Sequence, residues 1–320
     1  MLAAAGGGIA ALAAPRLARG QGGDYPTRPV RVVVTYPPGG GADTVARIIF
    51  ADLSGRMGQQ FIVENRAGAT GTIGAAAVAR AAPDGYTLMH DATAFSINPA
   101  VYPQLPYDTP RDFAPIFLAV TVPLLLVANN AVPVRSVPEL IVFGREAREE
   151  PPFGSPGNGT VQHIALEMLK SLTGAKFNHI PYRGGGPALN DLMAGQIKFL
   201  FDNAASSLGH VRTGTIRAIA QTTAGRIAPL PDLPAIAETL PGFEAAEWNG
   251  VFAPAGTPRE IVGRLNTELN ATIRDPAVAE RLAALAADTR PNTPEEFQAF
   301  VSAALDRYGR LAREAGIRIQ

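Results

Sequence analysis

Residues 35–47 read TYPPGGGADTVAR, with two prolines followed by three glycines at positions 37–41. The residues just before this turn, Val30 to Tyr36, are rich in β-branched side chains and predict a buried strand. Over 42–53, apolar residues recur at helical spacing. A strand that runs through glycines into a helix leaves unpaired N–H groups at the positive end of the helix dipole, where an anion binds without a charged side chain.

The glycine-rich turns do not match nucleotide-binding motifs. A P-loop requires lysine after its last glycine, and none follows here. The stretch 39–44 (GGGADT) lacks the third glycine of a dinucleotide fingerprint, and 68–74 (GATGTIG) has the wrong spacing. The sequence therefore favours a site for some other anion.

The order of predicted elements is that of an α/β protein. A short strand at 60–64 leads into the second glycine turn and an alanine-rich helix, and a third strand begins at Tyr86. Strands and helices alternate again over 124–222. This alternation with short loops predicts parallel sheets covered by helices. We therefore predict two lobes, each a mainly parallel sheet with helices packed on it.

One apolar stretch, Phe113 to Ala128, raises the question of a membrane span. It contains Pro115 and Pro123 and is shorter than the roughly 20 residues that a spanning helix needs. We interpret it as two buried strands.

The C-terminal part predicts helices and little strand. Residues 257–260 (TPRE) and 293–296 (TPEE) have the form of capping boxes with proline at the first helical position, and Asp275 with Pro276 starts a helix in the same way. Such a segment cannot form a lobe alone. We therefore predict a first lobe of residues 25–122 and 246–320, a second lobe of residues 123–245, and a ligand cleft between them.

A third glycine-rich turn, 154–160 (GSPGNGT), precedes a helix of the second lobe. Two anion-ready turns at one sheet edge and a third in the other lobe suggest a ligand clamped between the lobes. For each turn taken alone, a tight connection without function is an equal alternative. Ser155 does not lie in a nucleophile elbow, since G-x-S-x-G requires glycine at 153 and the chain has Phe153.

Several side chains near these turns have both a structural and a functional interpretation. Asp43 either caps a helix or orders a polar part of the ligand. His163, in the first turn of its helix, either reaches a ligand or is a surface imidazole. Tyr182 and Trp248 either line the cleft or belong to the core.

Composition excludes several kinds of partner. Lys plus Arg and Asp plus Glu both total 28, so there is no basic excess to hold a nucleic-acid backbone. The chain has no cysteine, which excludes disulfides, thiolate metal sites and a cysteine nucleophile. The four histidines include no H-x-x-x-H pair, so the sequence offers few ligands for a histidine metal site. We expect no nucleic-acid partner, no metal and no cofactor.

Residues 1–20, MLAAAGGGIAALAAPRLARG, have the apolar core and small-x-small ending of a secretory signal. We expect cleavage near Gly20 and an exported mature chain in the periplasm. A signal normally begins with lysine or arginine and none precedes Leu2, so either the true start lies upstream, where a twin-arginine signal is an option, or the signal is truncated. The alternative is a poorly ordered N-terminal tail of a cytoplasmic protein.

The motifs of the chain, taken in order, resemble those of one family. They are TYPPGGGADTVAR, VENRAGATGTIGA, ARAAPDGYTLM, LPYDTPRDFAPI, GSPGNGTVQHIALEML, HIPYRGGGPALNDLMAGQI, IRAIAQT and FAPAGTP. From Tyr25 onward the chain is similar to the substrate-binding proteins of tripartite tricarboxylate transporters, often called Bug proteins. One departure is Tyr36, a position that is usually phenylalanine in such sequences, so that a hydroxyl group is available to the ligand.

The resemblance implies a periplasmic binding protein of the two-lobe, Venus flytrap type (type II-like) that closes on a small carboxylate and delivers it to a membrane permease. It implies a monomer that is not an enzyme, with a di- or tricarboxylate or an aromatic acid as ligand. In the family, the two glycine turns of the first lobe hold one carboxylate through backbone N–H groups and ordered water. Together with the argument from the turns, this gives the candidate ligand-binding residues Tyr36, Pro38, Gly39, Gly40, Gly41, Asp43, Thr44, Ala69, Thr70, Gly71, Thr72, Ser155, Gly159, Thr160, His163, Tyr182 and Asp202.

Two other functions compete with transport. A sensor subunit for a membrane receptor uses the same binding physics and differs only in its partner. An enzyme on a similar two-lobe fold is the third interpretation, although no base, nucleophile and orienting group converge in the sequence. The side chains that we expect to discriminate among carboxylates are Tyr36, Thr70, Tyr182 and Asp202.

Overall fold

The computed structural model describes residues 25–319, so the predicted signal at 1–20 lies outside the described residues. The first elements in chain order are β1 (Val30–Val34), α1 (Gly41–Met57), β2 (Phe61–Asn65), α2 (Thr72–Ala79), β3 (Thr87–Ala92), α3 (Ala94–Val101) and β4 (Phe113–Ala128). Strands β1, β2 and β3 are parallel, in the order β2-β1-β3, as the sequence predicts. They form the sheet of the first lobe.

The second lobe repeats this alternation. Its elements are α4 (Val137–Glu146), β5 (Pro152–Ser155), α5 (Val161–Thr173), β6 (Asn178–Pro181), α6 (Gly185–Met193), β7 (Phe199–Asn203), α7 (Ala204–Arg212) and β8 (Arg217–Gln221). Strand β5 pairs in parallel with both β6 and β7, whereas β7 and β8 pair antiparallel with the end of β4. The sheet of this lobe is therefore mixed.

The chain then returns to the first lobe. The last elements are β9 (Ala246–Pro254), α8 (Arg259–Arg274), α9 (Pro276–Ala283) and α10 (Pro294–Glu314). Strand β9 pairs antiparallel with β3 and β4, while α8 packs on α1 and α10 packs on α3. Over residues 25–319, no helix has both the length and the apolar character to cross a membrane.

The prediction of two strands in Phe113–Ala128 is wrong, because β4 is one continuous strand of 16 residues. Both prolines fit into it. Pro115 lies beside an irregularity in the pairing with β9, and Pro123 is where pairing with β9 ends and pairing of Leu124 with β7 begins. Pro123 has no backbone N–H to donate to a neighbouring strand. This gap in the hydrogen bonding of β4 coincides with the point where the strand changes its pairing partner.

Two of the three predicted helix starts are confirmed. Thr293 and Glu296 form a reciprocal capping box at α10, and Asp275 caps α9. The capping box at Thr257 is wrong, because this hydroxyl donates to the carbonyl of Pro254 at 2.7 Å and α8 begins only at Arg259.

Apolar side chains cover both faces of the sheets. In β1, Val32 and Val34 belong to the apolar cluster that includes α1, whereas Val33 belongs to the cluster on the opposite face, which includes Phe95. This explains the continuous β-branched run of β1, since a parallel strand covered on both sides has no polar face. Trp248 in β9 is only 1% exposed and belongs to the core.

Candidate functional site

A cavity of about 50 Å³ lies between the two lobes. It is lined by the β1–α1 turn, by the starts of several helices and by β9: Tyr36, Pro37, Pro38, Gly40, Gly41, Ala42, Ala92, Thr93, Ala94, Pro156, Thr160, Val161, Gln162, Gly184, Gly185, Gly186, Asp202, Asn203, Ser206 and Glu247. One water molecule needs roughly 10–15 Å³ of such space. The lobes in this arrangement therefore leave room for only a few waters or a small organic group.

The β1–α1 turn presents backbone to the cavity. Gly40 is the N-cap residue of α1 and has no side chain to bond the N–H groups of the first helical turn. Gly40, Gly41 and Ala42 line the cavity, which puts these N–H groups at its wall. Gly41 also touches the second lobe, because a Cβ there would come within 2.6 Å of the Asn203 side chain. Only glycine fits at this meeting point without a shift of Asn203.

Other predicted residues of this turn hold its shape and do not line the cavity. Asp43 accepts the N–H of Gly39 at 2.9 Å and the side-chain amide of Asn65 at 2.8 Å, and it pairs with Arg47 at 3.0 Å. Burial by itself raises the pKa of Asp43, but the hydrogen bonds from Arg47, Gly39 and Asn65 outweigh it and hold the pKa below its usual range. Thr44 donates its hydroxyl to the N-cap carbonyl of α1 at 3.1 Å.

The second glycine turn lies beside the cavity. None of Ala69, Thr70, Gly71 and Thr72 is part of the cavity wall. Instead, the Thr70 hydroxyl donates to the carbonyl of Asn158, in the second lobe, at 2.8 Å. This turn therefore supplies a hydrogen bond between the lobes.

The start of α5 forms the wall on the side of the second lobe. Thr160 caps this helix by accepting the N–H of His163 at 3.3 Å, and Thr160, Val161 and Gln162 line the cavity. Gly159 and His163, both predicted as ligand residues, lie behind the wall. The Gly159 N–H donates to His163 Nδ1 at 3.2 Å, and the histidine is buried, so it is not a surface imidazole.

Buried Ser155 and His163 and half-buried His179 form a group next to this wall. Ser155 Oγ lies 2.6 Å from His179 Nε2, and the His179 ring stacks on that of His163 at 3.9 Å. Burial lowers the pKa of His163 to about 3 and that of His179 to about 4, so both rings are neutral at pH 7. Ser155 is fully buried and does not line the cavity. This serine–histidine pair has no access to the cavity and supports the turn.

Of the two tyrosines predicted as ligand residues, only Tyr36 lines the cavity. Burial, and after it the carboxylates of Asp91 and Glu247, raises the pKa of Tyr36 above its usual value. Tyr182 donates its hydroxyl to Asp191 at 2.8 Å, and burial together with this bond raises the pKa of Tyr182 to about 12. Both hydroxyls are therefore protonated at pH 7.

Five helices begin at the cavity. For α1, α3, α5 and α6 the first helical residue lines it, and for α7 the N-cap residue does; they are Gly41, Ala94, Val161, Gly185 and Asn203. Each N-terminus has unpaired N–H groups and carries about half a positive charge. Within the described range, no lysine, arginine or histidine lines the cavity. The arrangement suits an anion that is held by backbone N–H groups.

The cavity also contains polar side chains that the sequence analysis does not predict. They are Gln162, Ser206 and Glu247; Asn203, next to the predicted Asp202, lines the cavity as well. Gln162 in α5 donates its amide to Glu247 Oε2 in β9 at 2.8 Å. The signal that points to Glu247 is an acidic residue inside an otherwise apolar strand, AEWNGVFAP.

Three carboxyl groups are buried at or beside the cavity. Burial raises the pKa of Asp91 and of Asp202 to about 7, and it also raises the pKa of Glu247. Asp202 Oδ2 accepts the hydroxyl of Ser206 at 3.0 Å, whereas Oδ1 has no hydrogen-bond partner in the described part of the chain. A buried, unpartnered oxygen at the cavity wall is open to a donor group. No cluster of residues suited to a metal ion is found among residues 25–319.

A second, larger cavity of about 750 Å³ lies where β4 and β9 pass alongside α10. Three arginines line it, but each is paired with a carboxylate: Arg226 with Glu238 at 3.0 Å, Arg290 with Asp288 at 3.1 Å, and Arg307 with Glu244 at 3.7 Å. The positive charges of these arginine side chains are therefore already neutralised. The cavity between the lobes, where helix N-termini converge, is the stronger candidate for the ligand site.

Solved structures similar to this chain are two-lobe binding proteins. An R. palustris protein with adipate has a TM-score of 0.89 to this chain at 38% identity, with 92% of this chain and 99% of that one covered. MatC from Rhodopseudomonas palustris with bound malate has a TM-score of 0.85 at 33% identity, with 90% and 99% covered. Both share the fold of this chain over nearly their whole length.

Sequence comparisons identify the family. Residues 45–317 match the family described as "Tripartite tricarboxylate transporter family receptor". The chain is 39% identical to a UPF0065 protein of Pseudomonas sp., from the tcbD-tcbE intergenic region, over 91% of this chain and 87% of that protein. It is 35% identical to Protein BugT of Bordetella pertussis, with 92% of each covered. The chain is therefore a solute-binding protein of the tripartite tricarboxylate transporter receptor family.

Proposed function

We propose that this protein is exported to the periplasm, captures a small carboxylate in the cavity between its lobes and delivers it to a permease of the tripartite tricarboxylate type. The observation that carries this proposal is the convergence of five helix N-termini from both lobes on one cavity whose lining has no cationic side chain within residues 25–319. Adipate and malate in the two similar structures support a carboxylate as the ligand class.

In this proposal, the carboxylate is held by N–H groups of both lobes at once. The first turn of α1, with Gly41 and Ala42, faces the cavity from the first lobe, and the first turn of α5, with Val161 and Gln162, faces it from the second. An anion between them is attracted to both helix ends. Because it contacts both lobes only when they are together, it stabilises the closed state over the open one.

Contacts between the lobes accompany this closure. Thr70 bonds Asn158, and a Cβ on Gly184 would lie only 2.9 Å from the ring of Pro37. The predicted boundaries after residues 122 and 245 support a hinge here, because they fall within β4 and just before β9, the strands that connect the lobes. We propose that the permease recognises the closed state.

The proposal includes no chemical step, no cofactor and a monomeric protein. The serine–histidine pair is the arrangement that most resembles a catalytic group, and neither Ser155 nor His179 lines the cavity. We expect a bound acid to be recovered unchanged after long incubation with the purified protein, and conversion of the acid would contradict this part of the proposal.

A thermal-shift screen of small carboxylates, each with its neutral amide as control, tests the binding function. A ligand at a hundred times its dissociation constant adds about 2.7 kcal/mol to the free energy of unfolding, which raises Tm by several degrees. We expect one or a few acids to raise Tm and their amides to have no effect. Equal shifts by acids and amides, or no shift by any acid, would contradict the proposal.

A further inference from the structure

Glu247 lies at the centre of the molecule, between the two lobes. It is 8% exposed and lines the cavity between the lobes as well as the larger cavity beside α10. Its strand, β9, pairs with one side of β4, where Glu247 is opposite Val122. Strand β7 pairs with the other side of β4, where Asp202 is opposite Leu125. The strand pairing thus brings two acidic side chains to the same cavity from either side of β4.

Both oxygens of Glu247 accept hydrogen bonds from side-chain amides. Gln162 donates to Oε2 at 2.8 Å and Asn249 donates to Oε1 at 3.3 Å. A carboxylate has about four acceptor positions, so two amide donors leave capacity for a donor from the cavity. The two amides hold the group in place as an acceptor at the wall of the cavity.

Asp202 supplies a second acceptor in the same wall. It is 1% exposed, and its Oδ1 lacks a partner within the described residues. This oxygen lies against Gly185 at the start of α6, where a Cβ would approach it to 3.0 Å. A donor group of a ligand is the natural partner for an acceptor that is buried in the cavity wall and otherwise unpaired.

The charges around the cavity argue against a second carboxylate on the ligand. The five helix N-termini contribute about +0.5 elementary charge each, and the two lining carboxylates, when ionised, offset nearly all of it. A dicarboxylate would add two further negative charges beside Glu247 and Asp202. An ammonium group on the ligand would neutralise part of this buried negative charge.

We infer that Glu247, assisted by Asp202, selects small carboxylates that also carry an ammonium group, so that the ligand is an amino acid rather than a diacid. This rests on the proposed function, since it concerns the opposite end of the same ligand. The carboxylate lies at the helix N-termini, and the ammonium group donates to Glu247 and to Asp202 Oδ1.

Isothermal titration of the purified protein with matched acids of three, four and five carbons tests the inference. For each length the set contains the monoacid, its α-amino and ω-amino derivatives and the diacid. We expect at least one amino derivative to bind ten times more tightly than both the monoacid and the diacid of its length. Tighter binding of a diacid would overturn the inference and leave the proposed function standing, whereas no binding by any acid would contradict the proposed function itself.

Substitution separates a specific role of Glu247 from a structural one. Glu247→Gln keeps the shape and the packing but removes the charge, so we expect it to lose the preference for the amino derivative by at least tenfold and to gain affinity for the diacid. Glu280→Gln, on the exposed face of α9, is the matched control. If Glu247→Gln folds and keeps the wild-type order of ligands, the inference is wrong.

The pH dependence provides an independent readout on the unmodified protein. The titratable groups that face the cavity or lie next to it are Asp202 on β7, Glu247 on β9, Asp91 on β3 and the Tyr36 hydroxyl. Burial raises the pKa of Asp202 to about 7, so acidification from pH 8 to 5.5 protonates it. Affinity for the amino derivative should fall over this range. If the affinity of the amino derivative stays constant or rises instead, its ammonium group does not depend on an ionised Asp202, and the inference fails.

Discussion

At the scale of single residues, two aspartates show how burial and hydrogen-bond donors together decide the state of a carboxyl group. Asp43 has donors from Gly39, Asn65 and Arg47, which outweigh burial, and its pKa lies below the usual range. For Asp202, burial outweighs the hydrogen bonds of Ser206, Ser207 and the Asn203 backbone and raises the pKa to about 7. The first residue fixes the glycine turn, and the second has an oxygen, Oδ1, without a partner among residues 25–319.

Asp202→Asn should stabilise the ligand-free protein at pH 8 and leave its stability unchanged near pH 3. The pKa of Asp202 is about 7 when folded, against 3.8 ordinarily. The unfolded chain therefore releases its proton first, so this group lowers the free energy of unfolding progressively as the pH rises from about 4 to about 7. Asparagine does not ionise, so the substitution removes this loss of stability. We expect Tm at pH 8 to rise by a few degrees, measured by calorimetry across pH.

The exposed Asp306→Asn on α10 is the control for this experiment, and its Tm should follow the wild type at every pH. If the plots of Tm against pH for Asp202→Asn and wild type are parallel from pH 3 to 8, folding does not raise the pKa of Asp202.

The sequence predicts those site residues whose role is local. Gly40, Gly41 and Asp43 belong to one strand–turn–helix unit, so spacing alone indicates an anion-ready turn with a capping carboxylate. Glu247 could not be predicted in this way, because its partner Gln162 is 85 positions away and only the meeting of the lobes joins them. Serine and histidine are residue types common in ligand sites, but Ser155 and His163 are buried and do not line the cavity.

At the scale of elements, the site is a consequence of where helices begin. The predicted helix position agrees well where apolar spacing is regular, as in α1. Helix α3 is not predicted, because it has only eight residues and contains Pro99. Its N-terminus nevertheless contributes to the cavity. The number of converging helices therefore becomes apparent only from the packed lobes.

Gly41→Ala should weaken ligand binding at least tenfold, equivalent to about 1.4 kcal/mol. The added methyl group would come within 2.6 Å of Asn203, whose side chain is fixed by its own cap bond to Ala205 N–H at 2.8 Å. The clash opposes closure but not the folding of either lobe. Titration calorimetry with the acid found in the screen measures the loss.

Gly55→Ala lies in the same helix and meets nothing within 4 Å, so it is a matched control that should bind as the wild type does. Wild-type affinity in Gly41→Ala would mean that the lobes do not meet at this point when ligand is bound.

At the scale of the whole molecule, two strands link the lobes and many contacts depend on their closure. The sequence predicts two α/β lobes, but it wrongly divides β4 into two strands because prolines normally interrupt strands. The change of pairing partner at Pro123 depends on the packing of the two lobes, so local sequence does not reveal it. This continuous strand and β9 carry the chain between lobes. The cavity lies beside them, so that a ligand there contacts both lobes.

A crystal structure of the protein with the acid that gives the largest thermal shift would show where the ligand carboxylate binds. We predict that it lies between the lobes, within roughly 3 Å of backbone nitrogens in the first turns of α1 and α5, with Gly41 against Asn203. A ligand bound in the larger cavity beside α10, or a carboxylate held by an arginine instead of the helix N-termini, would contradict it.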